Sequence, residues 1–177
     1  MTLCSDLEPH PSTGPGPVAA IRAEVGRVGP SLSVTYALAG DVGALWLPER
    51  QAPERTAGLW QHTCFELFLK RAAEEGYLEF NFSPSGQWAA YQFDGYRSGK
   101  RDFVTPAPAI RAFIGPEALQ LSVSLSLPPG VWDIGLSAVI EDKQGRISYW
   151  ALAHPPGDPD FHDGACFTLE LPAARRA

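Results

Sequence analysis

The chain has 177 residues, of which 45% are hydrophobic and 19% are charged, a composition typical of a folded globular domain. Its formal net charge of −6 repels phosphate backbones, and no basic stripe offsets that repulsion, so we do not expect it to bind nucleic acid. No apolar run approaches the roughly 20 residues of a membrane-spanning helix, so no membrane contact is expected either.

The first segment in chain order, residues 1–17, is rich in proline and glycine. Six of the nine residues at 9–17 are one or the other, which predicts an arm that makes neither helix nor sheet hydrogen bonds. The segment lacks the basic start and apolar core of a secretory signal, so we expect a cytoplasmic protein. Residues 18–172 are predicted to form one domain, and residues 173–177 a short tail.

Short segments with alternating apolar and polar residues follow one another through this domain, separated by glycine and proline. The clearest is 119–127, where leucine or valine occupies every odd position and glutamine or serine every even one. Such alternation is typical of strands with one face on the core and one in water. About ten such strands with short turns predict an antiparallel sandwich or barrel. Further strands are predicted at 21–25, 32–38, 132–140 and 147–152, the last two joined by a turn at 142–145.

Three cysteines, Cys4, Cys64 and Cys166, lie far apart in the sequence and form no CxxC motif. Their odd number and wide spacing disfavour a disulfide scaffold and a zinc knuckle. We predict that Cys64 and Cys166 are small core residues.

The hairpin at 77–93 is the most informative segment for function. Its core stripe consists of leucine and phenylalanine at 78, 80 and 82, so the odd-numbered side chains point the other way. Ser83–Gly86 matches a type I turn, and pairing across it places Trp88 beside Asn81 on the outer face. An indole next to amide and carboxylate groups suits a sugar, because the ring stacks on the C–H face while polar groups bind hydroxyls. The predicted ligand face comprises Glu66, Tyr77, Glu79, Asn81, Trp88 and Gln92.

Two alternatives stay open for the same residues. Trp88 and Tyr77 could instead pack under a loop that covers the outer face. Glu66 and Glu79 could form a carboxylate pair of the glycosidase kind, provided that they lie on neighbouring strands at a suitable separation. The sequence contains no nucleophile elbow, phosphate loop or HExxH motif, which favours a binding module over an enzyme.

A long irregular stretch follows the hairpin, from residue 94 to residue 109. Long loops in compact domains often bind something, so Tyr96 and Arg97 are candidate contacts at the rim of the site. The alternative is a simple turn at Asp94–Gly95, with the basic residues of the loop in solvent.

The loop at 154–163 is rich in groups that bind metals. Hard cations prefer clustered oxygen ligands, so Asp158, Asp160 and Asp163, with His162 beside them, are candidates for a calcium site. The alternative is a loop stiffened by proline, whose histidines hydrogen-bond to the backbone.

Five segments together resemble the stand-alone bacterial DOMON-like proteins, relatives of the family 9 carbohydrate-binding modules. They are LWQHTCFE at 59–66, YLEFNFSPSGQWAAYQFDGYR at 77–97, GLSAVIE at 135–141, YWALAHP at 149–155 and PDFH at 159–162. The resemblance spans residues 18–171 and implies a two-sheet antiparallel β-sandwich. It also implies that Trp60, Glu66, Asn81 and Trp88 lie near the ligand face.

The resemblance implies three possible functions. Family 9 modules clamp sugars between aromatic side chains and often hold structural calcium, which makes a non-catalytic carbohydrate-binding module the leading hypothesis. Other DOMON relatives bind haem, which here would depend on His62, His154 or His162, because Met1 is the only methionine. The third hypothesis is a protein-interaction module that uses a sheet face or an edge strand.

Overall fold

The computed structural model describes residues 2–174, and these contain twelve β-strands, three single-turn 3₁₀ helices and no α-helix. No helix in this range has the length and apolar character needed to cross a membrane. The strands are β1 Thr2–Pro9, β2 Val18–Val28, β3 Ser31–Gly40, β4 Cys64–Lys70, β5 Tyr77–Phe82, β6 Trp88–Phe93, β7 Arg101–Asp102, β8 Ala109–Ile114, β9 Ala118–Ser126, β10 Trp132–Glu141, β11 Ile147–Ala151 and β12 Leu169–Leu171. The 3₁₀ helices are Val42–Ala44, Leu59–Gln61 and Gly164–Cys166.

The strands pair antiparallel and form two layers. The first layer has the order β8-β9-β3-β2-β1, and the second has the order β7-β6-β5-β4-β10-β11, with β12 also paired to β10. Strand β1 belongs to both layers, because it pairs with β2 through residues 2–7 and with β11 through Glu8 and Pro9. This arrangement confirms the predicted all-β, two-sheet antiparallel β-sandwich.

The main hydrophobic core lies between the layers and draws on the inward-facing positions of both, such as Val34 and Leu121 in the first layer and Leu67 and Phe80 in the second. Strand β9 is buried at every second residue, as alternation predicts. Strand β5, in contrast, is buried at every residue. A second, smaller hydrophobic cluster around Phe68 and Tyr77 covers its other face. The outer side of the second layer is therefore also packed with buried side chains.

The prediction that residues 1–17 form an arm without ladder hydrogen bonds is wrong for Thr2–Pro9, which form β1. The prolines begin only at residue 9, so residues 2–8 keep their backbone donors, and Leu7 turns into the main core. The domain therefore begins before residue 18. Of the predicted tail, residues 175–177 lie outside the described residues.

Two smaller predictions are confirmed. Cys64 and Cys166 are buried free thiols. The hairpin of β10 and β11 closes around residues 142–145, where Asp142 Oδ1 accepts hydrogen bonds from the backbone amides of Gln144 and Arg146.

Candidate functional site

Polar side chains lie in adjacent rows on the outer face of β4, β5 and β10. Glu66 on β4 lies opposite Asn81 on β5 and opposite Ser137 on β10. The Ser137 hydroxyl donates a hydrogen bond of 3.3 Å to Glu66 Oε2. Glu79 lies one row further along β5, opposite Phe68. Strand alternation thus directs Glu66, Glu79 and Asn81 away from the main core, as the sequence pattern predicts.

Two loops cover this polar surface and leave a cavity of about 390 Å³ above the sheet. Residues 94–100 connect β6 to β7, and residues 159–163 precede the last 3₁₀ helix. Arg97 Nη2 donates a 2.8 Å hydrogen bond to Asp160 Oδ1, and the Tyr96 hydroxyl donates to the other oxygen of that carboxylate, so the two loops are tied together. The cavity is lined by Trp60, Glu66, Glu79, Phe93, Arg97, Lys100, Val139, Tyr149, Pro159, Phe161 and His162.

The floor of the cavity is more deeply buried than the sequence predicts. Only 3% of Glu66, 4% of Glu79 and none of Asn81 is exposed, because the loops lie over them. Within residues 2–174, Glu79 Oε2 and both polar atoms of the Asn81 side chain make no hydrogen bond of normal geometry, although the nearby Asn81 amide still lowers the pKa of Glu79. Buried polar atoms are normally paired, so Glu79 Oε2 is free to bind a polar group that enters the cavity, whereas Asn81 is outside the lining.

Burial raises the pKa of both floor carboxyls above the usual range, and the charge of Glu79 raises the pKa of Glu66 further. Lys100 and Arg97 act in the opposite direction on both groups. Two acids on adjacent strands inside one cavity therefore tend to hold a proton when no other cation is close.

This pair predicts a pH dependence of stability. The folded protein keeps protons that the unfolded chain releases above pH 4.5, so the free energy of unfolding falls as pH rises from 4.5 towards the raised pKa values. His162 acts with the opposite sign below pH 6.5, since burial lowers its pKa from 6.5 to about 4 and the unfolded chain then binds the extra proton. Above pH 6.5 the contribution of His162 has ended, so the decline there comes from protons that the carboxyls retain and reaches at most about 1.4 kcal/mol per pH unit for each.

Urea unfolding at a series of pH values measures this decline. Glu66→Gln should flatten it, because the amide has no proton to retain. The matched variant Glu24→Gln changes an exposed carboxyl on β2 and should leave the decline as in the wild type. If the wild type and Glu66→Gln showed the same dependence of stability on pH above pH 4.5, Glu66 would ionise in the folded protein at its ordinary pKa.

His162 lines the cavity next to Glu79, and Tyr77, which is outside the lining, contacts the other nitrogen of its ring. The Tyr77 hydroxyl lies 2.8 Å from His162 Nδ1, and His162 Nε2 lies 3.9 Å from Glu79 Oε2. Because burial lowers the pKa of His162 to about 4, the imidazole is neutral at neutral pH. Tyr77 stacks against Phe93 beneath the loops. For Tyr77, this is the alternative arrangement in which a loop covers the outer face.

The predicted position of Trp88 is wrong. The predicted turn closes, because the Gly86 amide donates to the Ser83 carbonyl, but the Ser83 amide donates to the carbonyl of Gln87 rather than to that of Gly86. With Gly86 at a φ of 96°, the loop therefore contains one residue more than a two-residue turn. Trp88 consequently lies opposite Phe82 and points into the main core, with the Arg55 guanidinium 4.5 Å above its ring.

Gln92 changes face for the same reason. It lies opposite Leu78, a residue of the main core, rather than opposite Tyr77. A slip of one residue in the pairing moves every side chain of a strand to the other face, so Trp88 and Gln92 leave the ligand face together.

The structure brings other predicted residues together at the cavity. Trp60, on the 3₁₀ helix Leu59–Gln61, lines it with half of its surface exposed, and Arg97 lines it from the loop above. Tyr96 is outside the lining and holds Asp160. The ligand-binding role of all these residues stays a prediction.

Several lining residues were not predicted as part of the site, namely Phe93, Lys100, Val139, Tyr149, Pro159 and Phe161. Most of them belong to the segments that carry the family resemblance, but their polar or aromatic character alone gives no sign that they converge. Lys100 was predicted only as part of a solvated loop, whereas its ammonium lies 3.9 Å from the centre of the Tyr91 ring.

The predicted calcium cluster does not form. Within residues 2–174, no group of three acidic, histidine or cysteine side chains could hold a metal ion. Asp160 is paired with Arg97, and Asp163 accepts a hydrogen bond from the backbone of Ala165 at the start of a 3₁₀ helix. Asp158 and His162 therefore have no partners with which to share a cation.

The histidines that a haem would need are separated. His62 Nδ1 lies 2.6 Å from Glu141 Oε2, His154 Nε2 lies 2.8 Å from the carbonyl of Glu8, and only His162 lines the cavity. Glu66 and Glu79 do lie on neighbouring strands at diagonal positions, the arrangement on which the glycosidase alternative depends. Glycoside hydrolysis by this pair stays a prediction.

Comparison with known proteins agrees with the fold. No protein-family model and no curated protein sequence matches the chain. A solved structure from Bacteroides uniformis ATCC 8492, named a "putative carbohydrate-binding protein", superimposes with a TM-score of 0.66 at 11% sequence identity. The match covers 94% of this chain and 84% of that one. At this identity the likeness shows a shared fold.

Proposed function

We propose that this protein is a non-catalytic carbohydrate-binding module of the DOMON-like or family 9 type, and that its ligand occupies the cavity above β4 and β5. Trp60 and the two rings of Tyr149 and Phe161 offer apolar surfaces for the C–H face of a sugar. Glu66 and Glu79 on the floor offer acceptors for its hydroxyl groups. The name of the structurally similar Bacteroides protein agrees with this class of ligand.

The observation that carries the proposal is the unpaired Glu79 Oε2 on the floor of the cavity. A buried polar atom without a partner costs about 1–3 kcal/mol, and a ligand hydroxyl or amine would remove that cost. A volume of about 390 Å³ lies within the range of small-ligand pockets, roughly 300–1,000 Å³. Mixed aromatic and polar linings of this kind fix the orientation of a ligand as well as its position.

Trp60→Ala is expected to weaken saccharide binding about tenfold, because truncation of a well-placed aromatic contact commonly costs more than 1 kcal/mol. A glycan array identifies the saccharide, and calorimetric titration of wild type and variant measures the change in Kd. The matched variant Phe113→Ala removes an exposed ring from β8 in the other layer and should leave the Kd unchanged. Equal affinities of wild type and Trp60→Ala would remove Trp60 from the site.

A further inference from the structure

In their ionised forms, the groups that line the cavity carry more negative charge than unpaired positive charge. Two carboxyls, Glu66 and Glu79, lie on its floor, and two basic residues, Arg97 and Lys100, face them. Arg97 is already paired with Asp160 at 2.8 Å. Lys100 has no ion pair within residues 2–174 and rests on the face of Tyr91. Two acids therefore share one unpaired cation.

The remaining titratable groups do not supply the missing positive charge. His162 is neutral at neutral pH because burial lowers its pKa to about 4. Tyr77, Tyr91 and Cys64 are acids whose pKa burial raises, so at neutral pH they carry no charge. In the empty cavity the raised pKa values of Glu66 and Glu79 let the pair hold a proton, and one further cation could replace that proton and balance the floor with both carboxyls ionised.

We infer that the ligand carries a protonated amine, and that its ammonium group binds between Glu66 and Glu79 on the cavity floor. This inference rests on the proposed function, and it makes the ligand an amino sugar rather than a neutral one. Buried carboxylates are stable only when they are paired and hydrogen-bonded. An ammonium group meets both needs, because it brings one positive charge and three donors.

The walls of the cavity suit the same group. Phe93, Tyr149 and Phe161 line the cavity beside the two acids, and aromatic faces attract cations that lie within about 6 Å. An acidic sugar would instead place its carboxylate against two carboxyls, with only Lys100 in its favour. A neutral hydroxyl would satisfy Glu79 Oε2 but could not replace the proton that the pair of acids holds.

Calorimetric titration with paired sugars tests the inference. The probes are glucose, galactose and mannose, each with its 2-amino derivative and the N-acetylated form of that derivative, at a pH where the free amine is protonated. We expect at least one amino sugar to bind at least tenfold more tightly than both its parent and its N-acetylated form. If every parent sugar binds as tightly as its amino derivative, the inference is wrong and the proposed function stands. If none of these sugars and no saccharide on a glycan array binds, the proposed function fails as well.

Two variants add an independent readout. Glu79→Gln should abolish the preference for the amine, so that each amino sugar binds no more tightly than its parent sugar. Lys100→Met should strengthen amino-sugar binding several-fold, because it removes the cation that competes for the acids, and Lys100 is exposed, so the fold is retained. Lys143→Met, on an exposed turn away from the cavity, should have no effect. Weaker amino-sugar binding in Lys100→Met would overturn the inference.

Discussion

Trp88→Ala is expected to lower the free energy of unfolding by about 3–5 kcal/mol, the usual cost of removing a large aromatic side chain from a core. Only 5% of Trp88 is exposed, its ring lies opposite Phe82 in the main core, and the Arg55 guanidinium packs over it. No part of Trp88 lines the cavity, so the Kd for a saccharide should stay within a factor of two once the variant is studied well below its melting temperature. Urea unfolding and calorimetric titration measure the two quantities.

Trp60→Ala is the matched control, because it changes the same residue type at a position where 51% of the side chain is exposed. We expect the reverse result, with a change in the free energy of unfolding below about 1 kcal/mol and a clear loss of affinity. A stable Trp88→Ala variant that no longer binds saccharide would return Trp88 to the ligand face, and with it the hairpin pairing that the sequence predicts.

The sequence predicts which way the side chains of β4 and β5 point, but it does not predict the position of Trp88 on β6. Period-two alternation identifies the strands and correctly directs Glu66, Glu79 and Asn81 to the outer face of the second layer. It does not fix the pairing of β5 with β6, which depends on a single residue in the turn. Gly86, with φ of 96°, provides that extra residue, and the Ser-Pro-Ser-Gly motif fits both loop lengths.

The two loops that cover the cavity also could not be predicted from the local sequence pattern. The contact between Arg97 and Asp160 joins residues 63 positions apart in the sequence, and no periodicity connects two irregular loops. Lys100 and Phe161 reach the cavity only through that closure. The same contact explains why Asp160, a candidate metal ligand by composition, is instead the partner of a guanidinium.

Strand β1 could not be predicted from local composition. Proline content argues correctly against a ladder beyond residue 9, but the preceding residues alternate too weakly to signal a strand. Long-range pairing with β2 and β11 decides their structure, so tertiary context overrides local composition. The consequence is a strand that links both layers.

Arg27→Ala is the second large effect that we expect, a loss of about 3 kcal/mol of unfolding free energy. Only 8% of Arg27 is exposed, and its guanidinium donates hydrogen bonds to the carbonyls of Gly130 (2.8 Å), Pro128 (3.0 Å) and Pro172 (3.4 Å). Pro128 and Gly130 belong to the loop that connects the two layers between β9 and β10, and Pro172 directly follows β12, so one side chain of the first layer holds both of these segments. Hydrogen bonds from charged donors contribute about 1.5–3 kcal/mol each without being additive, and the abandoned carbonyls add a further cost.

Arg27→Lys separates the role of charge from the role of geometry. It keeps the positive charge, but a lysine ammonium cannot reproduce the planar fork that reaches carbonyls in different directions, so we expect it to recover less than half of the lost stability. Arg22→Ala, also on β2, removes an arginine whose ion-pair partner within residues 2–174 is the exposed Asp6. Its free energy of unfolding should match that of the wild type, since exposed ion pairs contribute little. If Arg27→Ala were as stable as Arg22→Ala in urea unfolding, the two layers would be held together at this end by core packing alone.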